Sequence, residues 1–193
     1  MKMVNGKHLG RAVWFSIAML AAVGVAAEPT ALQIVKEANR YVGNETRDKV
    51  LQVRSDRSTN GLNPDVWSVV YYDAAVRMKT TVITFTPGKA PRIVRPFSLF
   101  KRPDLKRIFD PAKVKIDSDA ALKIAQADRL LDKVKLSSSR ITLERWEDSP
   151  VWKIEFWAGK ATEPGQTADI GQIFVNVEDG TVVNRDLHID RAE

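Results

Sequence analysis

Large apolar residues alternate with charged ones along residues 151–157. Trp152, Ile154 and Phe156 are apolar, and the two residues between them are charged. A period of two is typical of a β-strand that has one face on a core and the other in water. The pattern therefore predicts a central strand with these three side chains buried.

The same pattern occurs a second time, in residues 66–72. Trp67, Val69 and Tyr71 occupy the places that the apolar residues hold in the later stretch. The repetition predicts one structural unit used twice. We expect Trp67 and Trp152 to be buried, each against the helix of its own unit.

Helix signals precede each set of strands. Thr30 and Gln33 fit a capping box, and Ser118 is the expected N-cap of a second helix. Asp179-Gly180 is typical of a two-residue hairpin turn in which both residues take positive φ. The segment 160–171 is predicted to be a polar loop. The expected strands are 50–54, 66–72, 80–86 and 92–94 in the first set, and 141–146, 151–157, 172–178 and 181–188 in the second.

These elements predict an α+β fold of two repeated units, each one helix packed on an antiparallel sheet of about four strands. The units are placed at 28–97 and 117–193. A unit of this size buries little of its surface alone, so the two are expected to dock against each other. Tyr72 and Trp157, on the outer faces of the central strands, are candidates for that covered surface or for a binding surface.

The first 27 residues have the pattern of a secretory signal peptide. A basic start without acidic residues precedes an apolar run, and small residues stand before Glu28, where cleavage is expected. The alternative is an uncleaved membrane anchor, although the run is short for a spanning helix. Removing 1–27 lowers the formal net charge from +6 to +3, because this segment carries three positive charges and no negative ones. The chain contains no cysteine, which suits a bacterial periplasmic or secreted protein without disulfides.

A basic, proline-rich linker is predicted at 98–116. Its prolines disfavour helix and sheet, and aromatic residues are interleaved with its cations. If the linker binds an anionic partner, Arg102, Lys106 and Arg107 are the residues expected to carry the binding. The alternative is a plain connector whose apolar residues fill the gap between the units.

The order of a capped alanine-rich helix, a strand, a Trp-x-Ile-x-Phe strand and a final Asp-Gly turn resembles the PepSY family. Residues 117–190 match this order well and 29–97 match it loosely. The resemblance implies a helix-on-sheet module, cystatin-like in general shape, without catalytic residues. It also implies inhibition or regulation of a protease as the function. Another envelope protein is the alternative partner.

The chemistry-bearing residues give little support to an enzyme. His188 lies between Asp186 and Asp190, which allows a weak acid–base or metal cluster, and this is the least favoured alternative. No catalytic motif, cofactor motif or metal-ligand spacing is present. Export argues against nucleic acid as a partner. The sequence therefore predicts an exported, non-catalytic binding module, with an anionic envelope surface or ligand as the alternative target.

Overall fold

The computed structural model describes residues 28–96 and 105–193, and these residues form two short α-helices and eight β-strands. The helices are α1 (Ala31–Ala38) and α2 (Ser118–Gln126). The strands of the first half are β1 (Val50–Ser55), β2 (Trp67–Tyr72), β3 (Thr80–Phe85) and β4 (Arg92–Val94). Those of the second half are β5 (Leu136–Trp146), β6 (Ser149–Gly159), β7 (Thr167–Asn176) and β8 (Val182–Leu187).

All eight strands belong to one antiparallel sheet, in the order β4-β3-β2-β1-β5-β6-β7-β8. The predicted α+β fold of two repeated helix-on-sheet units is therefore wrong, and the protein is mostly β. The alternation pattern locates strands but does not specify which strand edges pair. Pairing β1 with β5 satisfies the exposed backbone groups of two edges at once. Docking the halves face to face would instead remove charged side chains from water.

Both helices cover the same face of this sheet. Helix α1 packs on β1 and β2, and α2 packs on β6 and β7. Their N-termini meet, because the amide of Ala31 donates to Ser118 Oγ at 2.9 Å and the amide of Leu32 donates to Asp117 Oδ1 at 3.2 Å. Asp117 is the N-cap of α2, one residue before the predicted cap, while the Ser118 hydroxyl serves the other helix.

The core lies between the helices and the sheet. Trp67 and Trp152 are 1% and 0% exposed, so their predicted burial is confirmed. The indole of Trp152 donates to the carbonyl of Ile116, just before α2, at 2.7 Å. The indole of Trp67 donates to the carbonyl of Pro64 at 3.2 Å. Each large side chain thus keeps its one polar group satisfied while the ring fills the core.

The β1–β5 seam, where the two halves meet, is short. Only two residue pairs, Val53 with Leu143 and Arg54 with Thr142, are in register there. Side-chain hydroxyls extend the seam: Ser55 Oγ accepts from the amide of Ile141 at 2.9 Å, and Ser58 Oγ accepts from that of Ser139 at 2.8 Å. Serine hydroxyls therefore add to the backbone hydrogen bonds where the strands diverge, one of which runs from the amide of Ser58 to the carbonyl of Ser139 at 2.8 Å.

Two boundaries in the second half differ from the expectation. Strand β7 begins at Thr167, inside the predicted loop 160–171, so the loop is shorter than expected. The β7–β8 turn is longer than two residues. Gly180 has φ +77°, but Asp179 is outside the positive-φ region and its carboxylate instead accepts from the amide and hydroxyl of Thr181.

Candidate functional site

The face of the sheet opposite the two helices, called here the open face, carries the candidate site. Side chains on it alternate with the core residues along each strand, so strand register defines its rows. One row crosses the seam from Arg54 on β1 through Thr142 to Lys153 on β6. The next row joins Arg140 to Glu155. Polar and charged residues of three adjacent strands thus lie side by side on this face.

The charges on the open face have mixed signs and interact loosely. Arg140 Nη1 lies 3.8 Å from Glu155 Oε1, and Lys153 Nζ lies 3.6 Å from Glu144 Oε2 and 3.9 Å from Glu155 Oε2. All four side chains are partly exposed, so these pairs contribute little to stability. They place cations and anions side by side on the open face.

Two guanidinium groups lie over the indole of Trp157, at the end of β6. Arg57 Cζ is 4.5 Å from the ring centroid and Arg140 Cζ is 5.4 Å from it. Both distances fall within the range of cation–π attraction. We call these three residues the Arg57–Trp157–Arg140 cluster.

Hydrogen bonds to two strands of the second half fix Arg57. Its Nε donates to Ser138 Oγ on β5 at 2.6 Å, and its Nη2 donates to Thr167 Oγ1 on β7 at 2.8 Å. Arg57 itself follows β1, so it reaches from the first half across the seam to strands of the second. The cluster therefore exists only because β1 and β5 pair.

A cavity of about 610 Å³ adjoins the cluster, and Thr167 belongs to its wall. Its lining combines three lysines with apolar side chains. The lysines are Lys133, Lys135 and Lys160, and the apolar residues include Val134, Leu136, Pro164 and Ile189. Its size lies within the range of small-ligand pockets, and a polar rim over an apolar wall is typical of them.

A larger cavity of about 850 Å³ lies on the helix side, between the N-termini of α1 and α2. Trp67, Leu122 and Ile141 line it. Asp117 and Ser118, at the start of α2, already accept from the first amides of α1, and Lys123 pairs with Asp119 at 3.7 Å. The hydrogen-bond donors on the open face are therefore better fixed for binding a ligand than those beside this cavity.

The structure places the predicted binding residues in different regions. Tyr72 and Trp157 both lie half-buried on the open face, as the alternation predicts, but at different ends of the sheet. Lys106 and Arg107 are exposed in a 3-10 turn. That turn precedes Phe109, whose amide donates to the carbonyl of Val50 at the start of β1, whereas Arg57 follows the end of β1.

Lys106 and Arg107 therefore do not join Trp157. Arg102 lies outside the described residues.

The residues around His188 form a pair rather than a cluster. His188 Nε2 lies 3.2 Å from Asp186 Oδ1, and both side chains are exposed. Strand β8 ends at Leu187, so Asp190 lies in the following 3-10 turn and not on β8. Within residues 28–96 and 105–193, no group of three or more histidine and acidic residues is placed to hold a metal ion.

Sequence reasoning missed Arg57 and Arg140. Arg57 lies in a polar segment that reads as an ordinary loop, so no local signal marks it. Arg140 could have been found, because it shares the period-two face of Ser138 and Thr142 once β5 is extended to Leu136. The missing information was the pairing of β1 with β5.

Comparisons with protein families, with curated proteins and with solved structures gave no match to this chain. The PepSY resemblance therefore stays a prediction. None of the helices in the described part of the chain is long and apolar enough to cross a membrane.

Proposed function

We propose that this chain is an exported, non-catalytic binding protein that docks a protein partner on the open face of its sheet. The observation that carries the proposal is the Arg57–Trp157–Arg140 cluster. Tryptophan and arginine dominate the binding energy of many protein interfaces, because they bring large contact areas and several donors. Here they are held in place before any partner arrives, which lowers the entropy lost on binding.

The mixed charge of the open face favours a protein partner over a uniformly anionic surface. Glu144 and Glu155 lie among the cations Arg54, Arg140 and Lys153. A surface of phospholipid or lipopolysaccharide would be repelled by the two carboxylates. A protein surface can place a cation opposite each of them, and complementary charges of both signs set the orientation of docking.

The resemblance to PepSY modules supports a protease as the specific partner, with inhibition or regulation as the outcome. The pattern of the first 27 residues supports a periplasmic or secreted location. The sequence stretch at 98–116 is a second candidate contact region, through Arg102, Lys106 and Arg107. Its described candidates Lys106 and Arg107 lie at the other end of β1 from the Arg57–Trp157–Arg140 cluster.

The test is photocrosslinking from two matched positions. A photoreactive residue replaces Lys153 on the open face in one variant, and in the other it replaces Lys36, an exposed residue of α1. Each variant is expressed in the host with its leader and irradiated. We expect a discrete protein adduct from position 153 and none from position 36. Equal adducts at both positions, or none at 153, would overturn the proposed docking face.

The captured protein is then identified by mass spectrometry and assayed with the purified chain. If it is a protease, its activity on a peptide substrate should fall in the presence of the wild-type chain. Vesicles containing phosphatidylglycerol are the control for the alternative, and sedimentation of the chain with these vesicles through the open face would contradict a protein partner.

A further inference from the structure

We infer that the Arg57–Trp157–Arg140 cluster is an anchor site for an acidic side chain of the partner, and that the adjoining cavity receives an apolar residue next to it. This inference rests on the proposed function and names the chemistry of the segment that docks. The ligand class is an acidic, partly apolar stretch of polypeptide.

The donors of Arg57 are arranged for a bidentate anion. A guanidinium has five N–H donors in a planar fork, and the bonds to Ser138 and Thr167 use one on Nε and one on Nη2. Those bonds fix the plane of the fork over the indole of Trp157. The edge of the guanidinium that carries Nη1 remains to bind the two oxygens of an incoming anion. Hydrogen bonds between charged groups of this kind are stronger than those between neutral groups.

A carboxylate fits this position better than a phosphate does. A carboxylate lies in the plane of the guanidinium it pairs with, so it extends the stack over the indole without turning an oxygen toward the electron-rich ring face. A tetrahedral phosphate places oxygens out of that plane. Asp169 is the cross-strand neighbour of Trp157, and its charge repels a dianion more than a monoanion.

Charge complementarity continues into the cavity. Lys133, Lys135 and Lys160 line it together with one acidic residue, Glu193, and Lys160 Nζ is paired with Glu163 Oε1 at 2.9 Å. The lysines favour an acidic segment, and the apolar part of the wall, which includes Leu136, offers a place for an aliphatic side chain. Because Thr167 accepts from Arg57 Nη2 and also belongs to the cavity wall, two nearby side chains of one segment can reach both places.

The experiment titrates the mature wild-type chain with a synthetic hexapeptide that alternates leucine and glutamate. Side-chain N–H signals of Arg57 and Trp157 are followed by NMR, and W157F assigns the indole signal. We expect both signals to shift with the peptide and to stay in place with the peptide in which glutamine replaces glutamate. Equal shifts with both peptides, or no shift at Arg57, would overturn the inference on the wild-type chain itself.

Two variants distinguish the contribution of the planar Arg57 guanidinium from the contribution of positive charge alone. Arg57→Lys keeps the charge and loses the planar fork, so we expect affinity for the acidic peptide to fall about tenfold, the loss of one charge-assisted hydrogen bond. Arg54→Gln removes a charge from the same face but no member of the cluster, and its affinity should change by less than about twofold. A larger loss in R54Q than in R57K would overturn the anchor.

Two further experiments define the chemical class of the ligand. Ala161→Trp, on the cavity wall, should weaken the leucine–glutamate peptide while leaving the Arg57 signal responsive to a peptide of glutamate and glycine. Inorganic phosphate should not compete at concentrations that leave the fold intact, and effective competition would assign the site to phosphate instead. If crosslinking finds a partner on the open face whose affinity is unchanged in folded R57K, the anchor fails and the proposed function stands.

Discussion

The two halves of the sheet share an order of elements but differ in strand length and in their open faces. In the second half, β5 and β6 are eleven residues each and pair at ten positions. In the first half, β1 and β2 are six residues each and pair at five. The open face of the first half carries Val70 and Val82, paired across β2 and β3, where the second half carries Lys153 and Glu155.

This difference shows that the same order of secondary-structure elements can carry two different surfaces. The core-facing positions of both halves need only to be apolar and of suitable size, so they remain similar. The open-face positions are free to vary, and in the second half they have become charged and aromatic. The candidate site lies on the second half, but its most firmly held cation, Arg57, comes from the first. The pairing of β1 with β5 at the seam therefore brings residues of both halves together in one site.

Deleting the large aromatic side chain from the core is expected to have the largest effect in either half. Trp152→Ala and Trp67→Ala should each lower the free energy of unfolding by about 3–5 kcal/mol. Both rings are almost fully buried, so similar losses are expected despite the difference in strand length. Urea melts measure the loss. Trp157→Phe is the control, and it should lower the free energy of unfolding by about 0.5 kcal/mol or less. A loss below about 1 kcal/mol at either site would show that the half concerned has a different core.

The seam is the next most sensitive region. Ser55→Ala removes the hydroxyl that accepts from the buried amide of Ile141, which should cost about 1–3 kcal/mol. Ser149, an exposed strand residue away from the seam, provides the matched control, and its change to alanine should cost less than about 0.5 kcal/mol. Chemical denaturation compares the two variants. Equal stability of both would mean that the hydroxyl does not hold the halves together.

The β2–β3 turn of the first half should be sensitive to acid. Burial by itself raises the pKa of Asp73. Hydrogen bonds from Thr81, Ala75 and Thr46, together with the charge of Arg95, outweigh burial and hold this pKa below its usual value. A carboxyl group with a depressed folded-state pKa stabilises the fold above its unfolded pKa, and this stabilisation is lost as pH falls through the folded value.

Asp73→Asn should therefore reduce stability at neutral pH, and the gap between variant and wild type should narrow below about pH 4. Urea melts across a pH series test this expectation. A gap that stays constant down to pH 2 would show that ionisation of Asp73 contributes nothing.

The smallest expected effect is a gain, at the β5–β6 turn. Glu147 and Asp148 have φ of +47° and +67°, a backbone region that is costly for residues with a Cβ. Replacing Asp148 with glycine should stabilise the chain by about 0.5–1 kcal/mol, because the strain is relieved while the backbone carbonyl that accepts from Arg145 is kept. Thermal melts measure the shift. A lower melting temperature would mean that the Asp148 side chain contributes more than the strain costs.

Sequence patterns located most strands, because period-two alternation marks any strand with one buried face. They missed the first half of β5, where three serines stand in place of β-formers. Ser138 and Ser139 are held in the strand by tertiary hydrogen bonds to Arg57 and to the carbonyl of Leu62, which no local pattern records.

The candidate site could be predicted only in part. Trp157 was found from its outward position on a regular strand, and Tyr72 for the same reason. The partners of Trp157 depend on the register between β1 and β5, a long-range pairing that local propensity does not encode. Composition alone indicates the basic linker as a binding region, and its described candidates Lys106 and Arg107 lie at the other end of β1.

The stacking of Arg57 on Trp157 tests the central claim most directly, because it joins a residue of the first half to one of the second across the seam. Protons of the Arg57 side chain should show an upfield ring-current shift in the NMR spectrum of the wild-type chain. The shift should disappear in Trp157→Leu. It should persist in Trp146→Leu, because the ring of Trp146 packs on Phe174 and not on Arg57. Unshifted Arg57 signals in the wild type would contradict both the single sheet and the site built across its seam.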